Sequence, residues 1–274
     1  MRWHLIVLAA MMSMTSTAFA SLHRIEVNER ETVLHHALKH VSSDLTEALV
    51  KPGIPVLSAF EELTETPPNL GLSDASHWFA VELVNQSEFR DFVLESQYPP
   101  LDRLTVFIFE GDKPLKEFNG GELRSIKSRT HRHRNDNFEI ALKPDVAYRI
   151  VLLIESDSSI QLPLVLYEKQ AFLEHINAET AAFYFYYGLM FVMLIYNLFL
   201  YATTRDRVYV PYLIYLMAYI GFQASMNGYT KLWIFPEEGS VVNTFLLVSN
   251  FLSGLGCFEF ARRFLKVETL GWVW

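Results

Sequence analysis

The sequence predicts an all-β sandwich followed by an α-helical transmembrane region, and three observations carry that prediction. Short runs with period-two alternation, split by turn residues, recur between residues 78 and 167. Three stretches without Asp, Glu, Lys, Arg or His follow, at 181–204, 208–230 and 239–258. Ahead of both lies a short apolar segment with the build of an export signal.

That first segment has a positive start at Arg2, an apolar run over 5–12 and a small-residue end at Ala18-Phe-Ala20. It is too short to span about 30 Å of hydrocarbon and ends as signal peptides do, so residues 1–20 are expected to be cleaved after Ala20. The single cysteine, Cys257, lies in an apolar run, so the exported part has to fold without disulfides.

The chain carries a net charge of −8, unevenly placed: residues 21–180 hold 26 acids against 16 bases, a balance of −10. Nucleic acid and other polyanions require an excess of Lys and Arg, so they are excluded as main partners. A neutral or cationic small ligand fits this charge better.

The strand candidates are 78–84, 91–95, 104–109, 137–142, 148–155 and 161–167. Asn85-Gln-Ser87, Gly111-Asp112, Gly120-Gly121 and Pro144-Asp145 break them. Six short strands with no long helix between them predict a sandwich. Upstream, apolar residues at 33, 34, 37, 38 and 41 have helical spacing, which would place His36 and His40 one turn apart. An alternative for 25–28 is an edge strand. Two histidines fall short of the three or four ligands a metal site needs, so no metal is expected.

Between 123 and 135 lie Arg124, Lys127, Arg129, His131, Arg132, His133 and Arg134 with no acid, a basic island in an acidic domain. One reading is a clamp for an anionic group on a ligand, built from Arg129, Arg132 and His131, since guanidinium matches carboxylate geometry. The other is a solvated hairpin that balances nearby acids. Tyr98 and Trp78 could stack on a sugar ring, although Trp78 opens a strand and fits the core. There is no Gly-x-Ser-x-Gly elbow, phosphate loop or Cys-His pairing in the exported half. Catalytic residues and cofactors are accordingly not expected.

The three uncharged stretches are 24, 23 and 20 residues long, and a spanning helix needs about 20. Arg205 and Arg207 follow the first and Arg262, Arg263 and Lys266 the third, whereas the loop after the second holds Lys231 against Glu237 and Glu238. Positive loops stay inside, which puts the exported half outside and the end of the chain in the cytoplasm. Phe183 to Tyr187, Trp233 and Phe235 suit the headgroup layer. Asn197, Gln223, Asn243 and Asn250 are expected to join helices by hydrogen bonds, and Ser253, Gly254 and Gly256 to permit close helix approach. The apolar, aromatic end at Leu270-Gly-Trp-Val-Trp274 reads as the start of a further span, so the chain is expected to continue.

Several motifs resemble those of bacterial seven-transmembrane receptors with diverse intracellular signalling modules. In the exported half they are Gly71-Leu-Ser with Trp78, Val81-Glu-Leu-Val-Asn85, Tyr98-Pro-Pro-Leu-Asp102 before Val106-Phe-Ile-Phe109, and Phe138-Glu-Ile-Ala-Leu142. In the membrane half they are Tyr187-Gly-Leu-Met, Tyr196-Asn-Leu-Phe-Leu200, Arg205-Asp-Arg-Val-Tyr209 and Asn227-Gly-Tyr ahead of Trp233-Ile-Phe-Pro236. The resemblance implies that the sandwich is jelly-roll-like, is the family's extracellular domain of the second type, and binds carbohydrate or a related small ligand. It implies seven helices and then a kinase or cyclase module, of which only three helices are present. The expected division is thus a signal peptide at 1–20, a periplasmic sensory domain at 21–179 and the first three spans of a seven-helix region at 180–274. Expected partners are a small-molecule ligand, the lipid bilayer, and a homodimer mate or downstream signalling protein. The competing function is a membrane-tethered binding or assembly module without signalling output.

Overall fold

The computed structural model describes residues 24–42, 50–51, 54–55, 60–63 and 66–265. The expected signal peptide, Lys266 and the apolar end at 270–274 lie outside the described residues.

In chain order the strands are β1 (Arg24–Val27), β2 (Glu31–Val33), β3 (Lys39–Ser42), β4 (Val50–Lys51), β5 (Ile54–Pro55), β6 (Glu61–Glu62), β7 (Asn69–Gly71), β8 (His77–Asn85), β9 (Asp91–Ser96), β10 (Arg103–Glu110), β11 (Lys113–Gly120), β12 (Asp136–Ala141), β13 (Ala147–Glu155), β14 (Ile160–Gln161) and β15 (Leu164–Glu168). The larger sheet runs β11-β10-β13-β8-β3-β6, with β1 pairing in parallel beside β8. The smaller runs β12-β9-β15-β2.

The two sheets form a sandwich because period two sends alternate side chains inward. Phe79, Val81 and Leu83 of β8, Val106 and Ile108 of β10, and Ile150, Leu152 and Ile154 of β13 meet Phe92 and Leu94 of β9, Phe138 and Ile140 of β12, and Leu164 and Leu166 of β15. All six predicted strand regions are present, and the last is divided into β14 and β15. Strand β11 went unseen because its sequence, Lys-Pro-Leu-Lys-Glu-Phe-Asn-Gly, is mostly exposed and lacks an apolar face.

The predicted helix over 31–40 is absent. Its apolar residues lie on β2, a single 3-10 turn at His35–Ala37, and β3. Tertiary burial overrides the local spacing: β3 pairs with β8 and sends Val41 against Ala80 and Val151 on the outer side of the large sheet. His40 therefore meets His77 rather than His36, with Nε2 and Nδ1 2.8 Å apart.

Three helices follow, α1 (Lys169–Thr204), α2 (Tyr209–Met226) and α3 (Gly239–Phe264). Among the described residues, α1 and α3 are long and apolar enough to cross a membrane. The expected span at 208–230 forms the shorter α2, whose four tyrosines and Gln223 dilute its apolar character. A π-helical turn, Thr230–Ile234, follows it. At 18 residues α2 is about 27 Å long.

Helix α1 begins 12 residues before its uncharged stretch, at Lys169 rather than 181. The Glu168 carboxylate caps it by accepting hydrogen bonds from the amides of Gln170 and Ala171 at 2.8 and 3.0 Å. Its 36 residues reach about 54 Å, more than the hydrocarbon needs. The surplus lies on the sandwich: Phe172, fully buried, packs with Val93, Val165 and Tyr167 on the outer face of the small sheet, and Leu173 and Ile176 join them. This second cover is why five consecutive residues of β9 are buried where alternation predicts half of them.

Helices α2 and α3 pack tightly through small residues. A β-carbon on Gly256 would lie 2.7 Å from the Tyr215 backbone nitrogen, so the approach requires glycine there. Gly254 has nothing within 4 Å of that position. Two of the expected interhelical polar contacts are made elsewhere: Asn197 donates to Met193 of its own helix at 2.8 Å, and Asn243 reaches the sandwich. Polar links between helices are made instead by Asn227, which donates to the Tyr187 hydroxyl at 2.9 Å, and by Tyr219 with Tyr186.

Candidate coupling interface

The basic island forms the end of the sandwich that rests on the helices. After β11 the chain turns at Gly121, makes a 3-10 turn at Ile126–Ser128 capped by the Ser125 hydroxyl, and returns through 129–135 into β12. This loop meets the α2–α3 connection and the first half of α1. Arg132 and Arg134 therefore find partners that lie about 45 to 100 residues away in sequence.

Arg129 points inward. Its side chain is 2% exposed, as is that of Asp136. Nε donates to Asp136 Oδ1 at 2.8 Å, and Nη1 donates to the carbonyls of His133 and Arg134 at 2.7 and 2.9 Å. Asp136 also accepts from the Gly121 amide, so this pair closes the base of the loop. The guanidinium expected to clamp a ligand is engaged with the protein itself.

Arg132 and Arg134 reach the helices. Arg132 donates to the Leu232 carbonyl at 3.3 Å and lies over the Trp233 ring, 4.7 Å from its centroid. Arg134 pairs with Glu179 of α1, donates to the Asn227 carbonyl at 3.4 Å and lies over Phe183 at 4.8 Å. Two rings expected to face headgroups thus also receive cations from the sandwich. Phe183, Tyr184 and Tyr187 surround Tyr229, which fastens α1 to the end of α2.

His131 is held by Asn137, packs beside Phe172 with centroids 5.3 Å apart, and has Nε2 3.5 Å from Glu139. His133 lies deeper, 3.0 Å from Glu179 and 3.4 Å from the fully buried Glu95. Burial alone would lower its pKa, but these two carboxylates outweigh burial and hold the ring above its ordinary value. Burial likewise opposes ionisation of Glu179, yet His133 and Arg134 pull it down to about 2. Tyr98, the fourth expected ligand residue, is half-buried against the sandwich core; burial and then the charge of Glu122 raise its phenol.

A second seam joins the sandwich to α3. Asp102 Oδ1 accepts from Asn243 at 2.9 Å, and Oδ2 accepts from the Ser156 hydroxyl and the Asp157 amide at 3.1 and 2.7 Å. Alongside, a β-carbon on Gly239 would fall 2.1 Å from the Glu122 carbonyl, so only glycine lets the start of α3 come this close. Ser125 and Lys127 both bind Glu237, at 2.5 and 2.8 Å, and the Ile126 amide donates to Pro236 at 3.0 Å.

Beside Asp102 a cleft of about 300 Å³ opens on the sandwich. Ser73, Asp74, Ser76, Arg103, Glu155 and Asp157 are among its lining residues, so it is polar and predominantly acidic. His77 connects the cleft to the sheet, with Nε2 2.8 Å from Ser73 Oγ and Nδ1 facing His40. Burial and then His77 lower the pKa of His40 to about 4. None of Arg129, His131, Arg132 or Tyr98 lines this cleft.

The basic island was legible as a cluster of charge, but its distant partners Glu95, Glu179 and Glu237 carry no local signal. They are scattered over the chain and meet only in the fold.

Residues 46–168 match the family model for the extracellular domain described as 7TMR-DISM extracellular 2, and residues 179–274 match that for 7TM diverse intracellular signalling. No curated protein matches the chain. Among solved structures, a selenomethionine-labelled β-glucosidase from Kluyveromyces marxianus is similar over 50% of this chain, with 9% identity and a TM-score of 0.29. The same organism's β-glucosidase in complex with glucose gives 48%, 9% and 0.27. The chain spans 19% and 16% of those two enzymes.

Proposed function

Because the chain belongs to the 7TMR-DISM receptor family, we propose that it is a transmembrane sensory receptor whose sandwich binds a small extracytoplasmic ligand and passes the event to the helices through the interface just described. One observation carries this reading: the same sandwich end contacts α1 through Arg134–Glu179, the α2–α3 connection through Arg132–Trp233, and α3 through Asp102–Asn243. A ligand that shifts this end moves all three helices together. It biases their packing to the extent that it binds the two arrangements unequally.

The ligand enters at the acidic cleft in this reading, since Asp102 is both a wall of the cleft and the acceptor for Asn243. About 300 Å³ is at the small end of ligand sites and suits one sugar-sized molecule. Carboxylates and serines there accept and donate to hydroxyl or ammonium groups, which favours neutral and amino sugars over acidic ones. The sandwich lies outside the membrane and the Arg205–Arg207 turn inside, following the positive loops.

Calorimetry on the chain in lipid nanodiscs tests this with glucose, glucosamine and glucuronate as probes. Binding of glucose or glucosamine, weakened about ten-fold by Asp157→Asn, is expected, because a charge-assisted contact contributes about 1.5–3 kcal/mol. Glucuronate binding that disappears in Arg132→Ala would instead return the ligand to the basic island. Binding of any probe that leaves helix packing in the unaltered chain unchanged, read by spin-label distances, would favour the tethered module without output, whereas a helix response that is lost in Asp102→Asn or Asn243→Ala supports the route through this pair.

A further inference from the structure

Two buried ionisable side chains act on each other electrostatically at the sandwich–helix seam, and the carboxylate of one and the ammonium of the other have no hydrogen bond or ion pair among the contacts described so far. Glu122, on the loop after β11, is 3% exposed, and its Oε2 has no hydrogen-bond partner. Lys231, in the π-helical turn after α2, is 1% exposed, and its Nζ has none either. Burying unpartnered charges is costly, and here one group comes from the sandwich and the other from the helix connection, with the Glu122 backbone packed against Gly239 at the start of α3, so separating the two halves would change the surroundings of both. We propose that Glu122 and Lys231 form a proton-controlled latch: docking of the sandwich on the helix connection is coupled to proton uptake by Glu122. The proposal rests on the coupling interface being the route of transmission and assigns its regulation.

The surroundings set the direction. Glu122 is acted on by Asp102 from the β9–β10 turn, Arg129 from the basic loop, Asp136 from β12 and Lys231 from the π-helical turn; its own charge reaches Tyr98. Lys231 is acted on by Arg129, Glu122, Asp136 and the neighbouring Glu237. Burial and then Asp102 push the Glu122 carboxyl up to about 7, against the pull of Lys231 and Arg129. Burial and then Arg129 lower Lys231. When the seam opens, Glu122 returns toward an ordinary carboxylate value near 4.5. The docked state therefore holds more protons than the open state between about pH 4.5 and 7, and docking weakens as pH rises through that window. Above it, both states are ionised and the weakening is complete.

Electron–electron distance measurements on the chain in nanodiscs read the docked fraction. Nitroxides go on Leu115→Cys in β11 and Glu238→Cys beside α3, both exposed positions, in a Cys257→Ser background. The open-to-docked ratio is expected to rise with pH by up to about ten-fold per unit within the window. Glu122→Gln, which stays uncharged, should hold the docked distance at pH 8.5 and flatten the response. Lys231→Met should move the response to higher pH, because Lys231 favours the ionised carboxylate. A docked distance at every pH in the unaltered chain, or a Glu122→Gln curve that matches it, overturns the latch and leaves the interface standing. Absence of the docked distance at any pH overturns both.

Discussion

Replacing Arg129 by alanine removes one member of an ion pair in which both side chains are 2% exposed, and leaves Asp136 with only the Gly121 amide as a hydrogen-bond donor. Three bonds from the guanidinium are lost: one to Asp136 and two to the carbonyls of His133 and Arg134. Breaking a buried pair by removing one partner costs about 3–5 kcal/mol, because the remaining charge stays desolvated. Set against the roughly 5–15 kcal/mol that holds a domain folded, that is about a fifth of the total or more. With a urea dependence of about 2 kcal/mol per molar, the sandwich's unfolding midpoint should fall by about 2 M. Arg129→Lys should recover less than half of the loss, since an ammonium cannot reproduce the planar fork that serves a carboxylate and two carbonyls. Pulse proteolysis in urea on membrane vesicles, with Trp78 fluorescence as a second probe, gives the midpoint. Lys113→Ala, on the exposed β11, serves as the neutral control. A shift in Arg129→Ala no larger than in this control would refute the structural assignment. Unchanged stability together with weakened ligand binding would support a clamp.

At the α2–α3 seam, Gly256→Ala places a β-carbon 2.7 Å from the Tyr215 backbone and should cost about 1–3 kcal/mol of helix packing, whereas Gly254→Ala should be neutral; thermal unfolding in detergent compares the two, and equal effects would refute the packing. His133 and Glu179 predict a pH profile. The raised histidine contributes stability that is full below about 6.5 and lost as pH rises through its docked value, and the depressed Glu179 contributes stability present above 4.5 and lost as pH falls toward 2. Melting temperatures of His133→Gln should therefore decline less on the alkaline side than those of the unaltered chain, and an identical profile would dismiss this role. For orientation, alkaline phosphatase fused after Thr180 should be active and after Lys266 inactive; the reverse pattern would sink the topology.

Alternation in β8, β9, β10, β12 and β13 was readable because each sends apolar residues to one shared core, and the uncharged stretches were readable because hydrocarbon tolerates few charges. The helix expected at 31–40 failed for the converse reason. Its spacing satisfied a helix, but pairing of β3 with β8 and burial of Val41 decided the matter through residues about 40 and 110 positions away. The start of α1 was missed because its first turns are polar in composition, and only the small sheet shows that Phe172 has a surface to cover.

The same division holds for the interface. Composition alone determined that a basic loop interrupts an acidic strand-rich region, and hydropathy alone that apolar helices follow it. Charge and hydropathy are local properties of the chain, so a sequence displays them directly. Which partner each cation takes is a property of distance in space. Only the tertiary structure turned Arg129 inward to Asp136, carried Arg132 and Arg134 to Trp233 and Glu179, and left Glu122 and Lys231 buried on opposite sides of one seam.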